Sequence, residues 1–398
     1  MRIGMMVDAY KPYVSGITNY IELNKRHLER AGHEVFVFTF GGLDYQDEEA
    51  RVIRSPGLPL QDTGFYLSFR YNHEAKRLAQ TMDVLHVHHP FLSGRLALRY
   101  ARPLQIPVIF TNHTRYDLYA QAYLPMMPEE LSDGLLKAYM PSFCAAVDLV
   151  ISPSAGMEKV LRQLEVESPI EVVPNGVELG RYLNAQPLSR ADFGFSDEDV
   201  LLIYVGRLGR EKNVDFLLRA FNAVAQAFNH ARLLILGDGP SREDLQSLAS
   251  ELGLSNRVHF AGMIPYDSLP AYLAMCDAFV TASVTEVHPL SVIEAMAAGL
   301  PVLGIHSPGV SDTVVDGTTG FLAPEDAAAF AVKMTRLVMD RDLRKKMGAA
   351  SREESTKYAI ERTTRMMLRY YETLVNAAQP RHRGLRFRLR SFLEQFNP

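Results

Sequence analysis

Thr281-Ala-Ser-Val-Thr-Glu-Val-His-Pro-Leu-Ser-Val-Ile-Glu-Ala-Met-Ala-Ala-Gly299 is the stretch from which the fold can be read. The apolar run Ala278 to Val284 predicts a strand, Glu286 falls in the loop behind it, and a helix starting near Pro289 carries Glu294. Strand, loop and helix in that order form the repeating unit of a parallel α/β sheet. Two acids eight positions apart on one continuous helix would diverge by roughly 80°. A loop acid followed by a helical acid can instead face one ligand from its two ends. Between them, the amides around Leu290 and Ser291 sit at a helix N-terminus, where unpaired N–H groups and the helix dipole favour an anion. A sugar joined to a phosphate fits all three features: Glu286 for sugar hydroxyls, the helix start for phosphate, Glu294 for a ribose.

The same alternation extends in both directions. Upstream, apolar β-rich runs at Ile3 to Val7, Glu34 to Phe40, Val84 to His88, Val108 to Thr111, Leu149 to Ser152 and Glu171 to Val173 alternate with helical stripes. One stripe is Ile17, Tyr20, Ile21 and Leu28, interrupted by Asn24 and closed by Gly32 as a C-terminal cap. The pattern restarts with Leu201 to Val205, Leu233 to Leu236, Val258 to Ala261, Ala278 to Val284 and Val302 to Ile305. The expectation is an α/β chain of two Rossmann-like, doubly wound domains with a cleft between them, residues 1–178 and 199–358. The polar stretch 179–198 reads as the linker, 359–380 as a long C-terminal helix, and 381–398 as a basic amphipathic tail.

A chain of 398 residues suits two or three domains, and 47% apolar with 22% charged residues are globular values. Cys144 and Cys276 lie far apart in apolar segments, so neither a disulfide framework nor a metal knuckle is expected, and a reducing cytoplasm fits. No signal peptide or membrane span is expected from the N-terminal Met1-Arg-Ile-Gly-Met-Met-Val, which leads straight into a strand-like run. The net charge is -4, and the last eighteen residues hold Arg381, Arg383, Arg386, Arg388 and Arg390 against Glu394. An acidic body excludes a general nucleic-acid binder.

Glu286-Val-His-Pro-Leu-Ser-Val-Ile-Glu294-Ala-Met-Ala-Ala-Gly-Leu-Pro-Val resembles the signature of retaining glycosyltransferases of family four, which have the two-domain GT-B fold. It departs from that signature at Val287 and His288, where the family usually carries a small residue and an aromatic one. Gly206-Arg207, followed by Glu211-Lys212-Asn213, matches the family's diphosphate clamp, which assigns Arg207 and Lys212 to the donor phosphates. The loop Asp8 to Thr18 has Gly16 at the start of a helix. By itself it fits a plain turn as well as a ligand contact, and it resembles the family's glycine loop over those phosphates. Leu236-Gly237-Asp-Gly-Pro-Ser241, with Ser241 as N-cap, is placed by the family near the nucleotide, although a simple turn explains it almost as well. Met263 and Ile264 would line the base pocket through backbone atoms. His288, Pro289, Leu290 and Ser291 complete the expected donor site, and Pro308-Gly309-Val310 resembles the glycine turn below the donor.

Asn112-His113-Thr-Arg-Tyr-Asp-Leu-Tyr119 follows a strand end, where polar clusters are more often functional than packed. By itself His113 fits either a helix cap or contact with the reacting sugar. It matches the family's histidine near donor sugar and acceptor. The stretch looks like the variant found in diacylglycerol glucosyltransferases, which points to Arg115, Tyr116 and Tyr119 as acceptor contacts. His86, His88 and His89 invite a metal reading, but only His86 and His88 share a strand face and no carboxylate or cysteine stands nearby in sequence. Val172-Val-Pro-Asn-Gly-Val-Glu178 resembles the family's interdomain crossing and otherwise reads as a turn with no ligand contact. Asp340-Arg-Asp342 looks like a metal-binding D-x-D, yet lies in a helical surface pattern and reads as a solvated face.

In the tail, Leu385, Leu389, Phe392, Leu393 and Phe396 form a stripe with Arg383, Arg386 and Arg390 clustered off it. A membrane-surface helix and a tail that is disordered or docked on the body both fit this pattern. The resemblance implies a retaining, metal-independent hexosyltransferase without a cofactor. It would move a hexose, glucose by preference, from a UDP-sugar to a lipid hydroxyl such as diacylglycerol in glycolipid synthesis. The enzyme would be cytoplasmic and peripheral to the inner face of an anionic membrane. A soluble or other lipid acceptor, a UDP-sugar 2-epimerase on the same fold and a catalytically silent nucleotide-binding module remain open, as do the base, the linkage and the oligomeric state.

Overall fold

The alternating runs fold into two parallel sheets. A computed structural model describes residues 1–378 apart from 14, 43–44, 61–64, 117 and 119–128. The chain divides into two compact units: Met1–Pro153, Glu158–Pro174 and the chain from Glu361 form unit 1; Ser154–Met157 and Asn175–Ile360 form unit 2.

Unit 1 holds β1 (Arg2–Met6), β2 (Glu34–Phe40), β3 (Val52–Ser55), the short β4 (Leu58–Pro59) and β5 (Tyr66–Leu67), β6 (Val84–Val87), β7 (Val108–Thr111), β8 (Leu149–Ser152) and β9 (Ile170–Val172). Seven of them form one sheet in the order β3-β2-β1-β6-β7-β8-β9, every neighbouring pair parallel, while β4 and β5 pair antiparallel by themselves. The helix Gly16–Arg30 starts on a reciprocal cap between Ser15 and Thr18 and is followed by Gly32 at φ 86°, the left-handed turn that glycine enters without strain. The last helix, Ile360–Ala377, buries Met367 and Tyr371 in the core built by Ile3, Met5, Val35 and Val37.

Unit 2 holds β10 (Val200–Val205), β11 (Ala231–Leu236), β12 (Val258–Gly262), β13 (Ala278–Val280), β14 (Val302–Ile305) and β15 (Gly320–Ala323), ordered β12-β11-β10-β13-β14-β15 and all parallel. Its two faces are covered by separate apolar clusters, one led by Leu217, Phe221 and Phe330, the other by Ile203, Phe279 and Met296.

Several expectations change. The strand expected through Val284 stops at Val280, and Thr281 Oγ1 accepts the Ser283 N–H at 3.3 Å as the chain turns into the loop. Residues 179–198 are part of unit 2: Tyr182 and Phe195 are buried in its core, and Arg190 bonds the Met275 and Asp199 carbonyls and the Asp277 carboxylate. Apart from the short excursion Ser154–Met157, the chain passes into unit 2 after Pro174 and returns at Glu361. Ser241 occupies the N-cap position but makes no side-chain capping bond. Asp340 caps the helix Arg341–Ser355, accepting the Leu343 N–H at 2.8 Å, so the D-x-D pattern is explained as a helix start.

Candidate active site

In unit 2 the strand order reverses between β10 and β13, and ligands of doubly wound sheets bind beyond strand C-termini at such a point. The loop after β10 carries Arg207 and Lys212; the loop after β13 carries Glu286. Thr285 Oγ1 donates to the Glu211 carbonyl at 3.3 Å, and Lys212 Nζ meets Glu286 Oε1 at 2.6 Å. Each of these two charged side chains is about one-fifth exposed. Burial pushes the Glu286 carboxyl up, but the Lys212 charge and hydrogen bonds from Lys212 and Ser283 outweigh it, leaving the pKa below the usual range. Arg207 is half exposed and 3.8 Å from Glu211.

Two glycines set this geometry. Gly309 donates its N–H to the Glu286 carbonyl at 3.0 Å, and a Cβ there would lie 2.4 Å from the Val287 carbonyl carbon, so only glycine lets the loop rest on the helix Pro308–Thr313. Gly237 sits at φ 132°, and a Cβ on it would lie 1.9 Å from the Gly206 carbonyl oxygen.

The helix Leu290–Ala297 follows Pro289, and the Ile293 N–H bonds back to the Pro289 carbonyl at 3.3 Å. The amides of Leu290 and Ser291 therefore stand ahead of the first helical bond, in the position that attracts anions. Glu294, on the same helix, is 3% exposed and accepts the Tyr266 hydroxyl at 2.6 Å. Burial raises its pKa against the opposing Tyr266 bond. Arg181 lies 4.7 Å over the Tyr266 ring and pairs with Asp267 at 2.6 Å, which fixes that tyrosine. His288 faces inward: its Nδ1 accepts the Asn175 N–H at 3.2 Å, its carbonyl accepts Asn175 Nδ2 at 2.8 Å, and its ring packs edge-on against Tyr358. Burial lowers its pKa to about 3, so the ring is neutral.

In unit 1 the order reverses between β1 and β6. The loops after them are joined by the Asp8 N–H to His89 Nδ1 at 3.1 Å and the Ser93 N–H to Asp8 Oδ1 at 2.7 Å. Gly16 is exposed, and a Cβ there would meet nothing within 4 Å. His113, beyond β7, is partly buried with Nε2 3.0 Å from His88 Nδ1 and its ring against Tyr20. Burial, reinforced by His86 and His89, keeps its pKa well below the ordinary value. Among the described residues no group of three or more His, Cys, Asp or Glu could hold a metal, and no helix is long and apolar enough to cross a membrane.

Residues 14–181 match Glycosyltransferase Family 4, and residues 185–354 match Glycosyl transferases group 1. The chain is 32% identical over 333 residues to an alpha-monoglucosyldiacylglycerol synthase of Streptococcus pneumoniae, covering 81% of this chain and 75% of that one. The chain belongs to the GT-B glycosyltransferases of group 1 and family 4. It is a hexosyltransferase. Among solved structures, a sucrose-phosphate synthase from Thermosynechococcus elongatus superposes with TM-score 0.77 at 22% identity over 94% of this chain and 99% of that one. HepE from Anabaena, in complex with UDP-glucose, gives TM-score 0.74 at 17% identity over 94% and 100%. Both show the two Rossmann-like domains of the GT-B fold.

Within this GT-B chain, Arg207, Lys212, Glu286, the helix start at Leu290 and Ser291, and Glu294 belong to one unit, and the loops bearing Lys212 and Glu286 are tied to each other. Met263 is exposed, while Ile264 is partly buried against the unit 2 core. The His288 ring commits Nδ1 to Asn175, which leaves Nε2 as the nitrogen for the expected donor contact. Tyr116, expected as an acceptor contact, is 1% exposed and edge-on to Phe91. Arg115 is partly buried. Tyr119 and the tail residues Arg383, Arg386, Arg390, Phe392 and Phe396 lie outside the described residues. Sequence reasoning missed Tyr266, and it named Asn175 only as part of a turn. The i, i+2 spacing that put His86 and His88 on one strand face holds, with the rings 4.3 Å apart.

Proposed function

We propose that the enzyme transfers glucose from UDP-glucose to a hydroxyl of diacylglycerol, with retention of the α configuration, at an anionic membrane surface on the cytoplasmic side. The observation that carries this reading is the Lys212–Glu286 pair, which sets a cation and an anion 2.6 Å apart at the strand reversal. A nucleotide sugar offers the complementary pair: anionic diphosphate, and a hexose that turns cationic as its bond to phosphate breaks. Arg207, Lys212 and the amides of Leu290 and Ser291 would take the charge developing on the diphosphate, which needs no metal. Glu286 would hold the sugar hydroxyls and face the positive charge at C1, and Glu294 the ribose. Gly16 and Gly237 would allow close backbone approach, and Met263 and Ile264 would meet the base through backbone atoms. His113 would position the sugar or the acceptor, and Arg115 and Tyr119 the acceptor.

The bond from C1 to the diphosphate breaks, a bond from C1 to the acceptor oxygen forms on the same face, and the acceptor proton leaves on the departing phosphate oxygen. The choice of acceptor is supported by the name of the pneumococcal relative and by the His113 to Tyr119 stretch; the choice of UDP-glucose is supported by that name and by the ligand of HepE. The experiment is incubation with labelled UDP-glucose and mixed lipids, read by mass spectrometry. A monoglucosyl diacylglycerol supports the reading; glucose on a different acceptor, or a changed sugar with no acceptor, overturns it.

A further inference from the structure

Unit 1 contains three histidine rings in contact whose hydrogen bonds fix where their protons lie. His86 uses both nitrogens, Nδ1 with the Tyr371 hydroxyl at 2.6 Å and Nε2 with Thr111 Oγ1 at 2.7 Å. His88 is fully buried and uses one nitrogen, Nδ1, 3.0 Å from His113 Nε2; its own Nε2 is buried with no partner among the described residues. His113 Nδ1 has no partner among the described residues. Tyr20 packs its ring against both His88 and His113, at centroid distances of 5.7 and 4.7 Å. Burial holds all three imidazoles neutral, so each carries one proton.

We infer that His88 is a positioning residue for His113, donating its Nδ1–H to His113 Nε2 and so fixing the proton of His113 on Nδ1. In the opposite arrangement His88 would carry its proton on Nε2, leaving a buried N–H donor with nothing to bond. Buried N–H groups without an acceptor are the rarer and costlier orphans, whereas a bare ring nitrogen is the milder loss. The pairing of donor and acceptor across the 3.0 Å contact then assigns the rest of the network. His113 offers its free edge as an N–H donor with no lone pair to accept a proton. It can hold a hydroxyl oxygen of the sugar or acceptor in place, but it cannot serve as the base that deprotonates the acceptor. The acceptor proton then has the departing diphosphate oxygen as its destination.

This inference rests on His113 touching the reacting groups, and the experiment separates the two claims. With ¹⁵N-labelled histidine in the full-length wild-type protein, long-range ¹H–¹⁵N correlation spectra report which nitrogen of each ring is bare, the His113 signals being identified by their loss in His113→Asn. The inference requires the bare nitrogen of His113 to be Nε2; a bare Nδ1 overturns it. In parallel, His88→Gln moves the amide away from the place of Nδ1, while His88→Asn keeps an amide donor there. His88→Gln should lose about tenfold or more in kcat with donor KM little changed, as expected when one buried bond partner is removed, and His88→Asn should recover most of it. Equal, wild-type turnover in both variants overturns the positioning role. Normal turnover in His113→Ala would instead remove the footing of the inference, namely the reading of His113 itself.

Discussion

Replacing His288 by phenylalanine should destabilise unit 2, although an aromatic residue is what the family usually carries there. Phenylalanine keeps the edge-on packing against Tyr358 and the backbone carbonyl that accepts Asn175 Nδ2. It removes Nδ1, the acceptor of the Asn175 N–H. Asn175 is 8% exposed, so that N–H is left without water or a protein partner. An orphaned buried donor costs about 1 to 3 kcal/mol. For a domain of this size each kcal/mol moves the midpoint by about 2 to 4 °C, which gives a fall in Tm of roughly 2 to 12 °C. The assay is differential scanning calorimetry, with the unit 2 transition identified as the one that added UDP shifts upward. Burial holds the folded ring neutral down to about 3, while the unfolded ring takes up a proton below its ordinary value near 6.5; wild type therefore gives up stability between pH 8 and pH 6, and the deficit of the variant should be larger at pH 8 than at pH 6. A variant that melts at or above the wild-type temperature would refute the reasoning.

Lys212→Ala should lower kcat by about 100- to 1000-fold, the loss typical of one group that stabilises developing charge, while the protein still folds; circular dichroism and turnover measured on one preparation check this. The depressed pKa of Glu286 makes the pair stabilising above the unfolded carboxylate pKa, and that stability is lost as pH falls through the folded value. A Lys212→Met/Glu286→Gln double variant should therefore show a shallower decline of Tm on the acid side than wild type. Gly237→Ala should lose stability, because the left-handed backbone and the Gly206 carbonyl leave no room for a methyl group, and urea unfolding will show it as a lower midpoint. Deleting residues 381–398 should reduce sedimentation with anionic vesicles, because each arginine near such a surface contributes about 1 kcal/mol.

The strand-loop-helix around Glu286 and the cationic corner at Arg207 and Lys212 were legible because both follow from local rules: a hydrophobic run, a breaker and a charge at a strand end. Even there the strand was drawn four residues too long, since Val284 continues the apolar pattern but no longer the ladder. β3 and β15 escaped because Val52–Ser55 and Gly320–Ala323 each hold only two bulky apolar residues, whereas the equally short β7 and β14 hold three. The stretch 179–198 looked like a linker because its polar surface dilutes Tyr182 and Phe195, two anchors that only the fold brings to the core. The bonds of His288 to Asn175 were not legible, because position within a motif says where a backbone lies, not which way a side chain turns. The bond between Tyr266 and Glu294 spans 28 residues, and no local pattern could announce it.

A crystal structure with UDP-glucose tests the central claim most directly. The account predicts the diphosphate on the amides of Leu290 and Ser291 within hydrogen-bond reach of Arg207 and Lys212, the hexose on Glu286 and the ribose on Glu294. A nucleotide sugar bound away from those groups would contradict it.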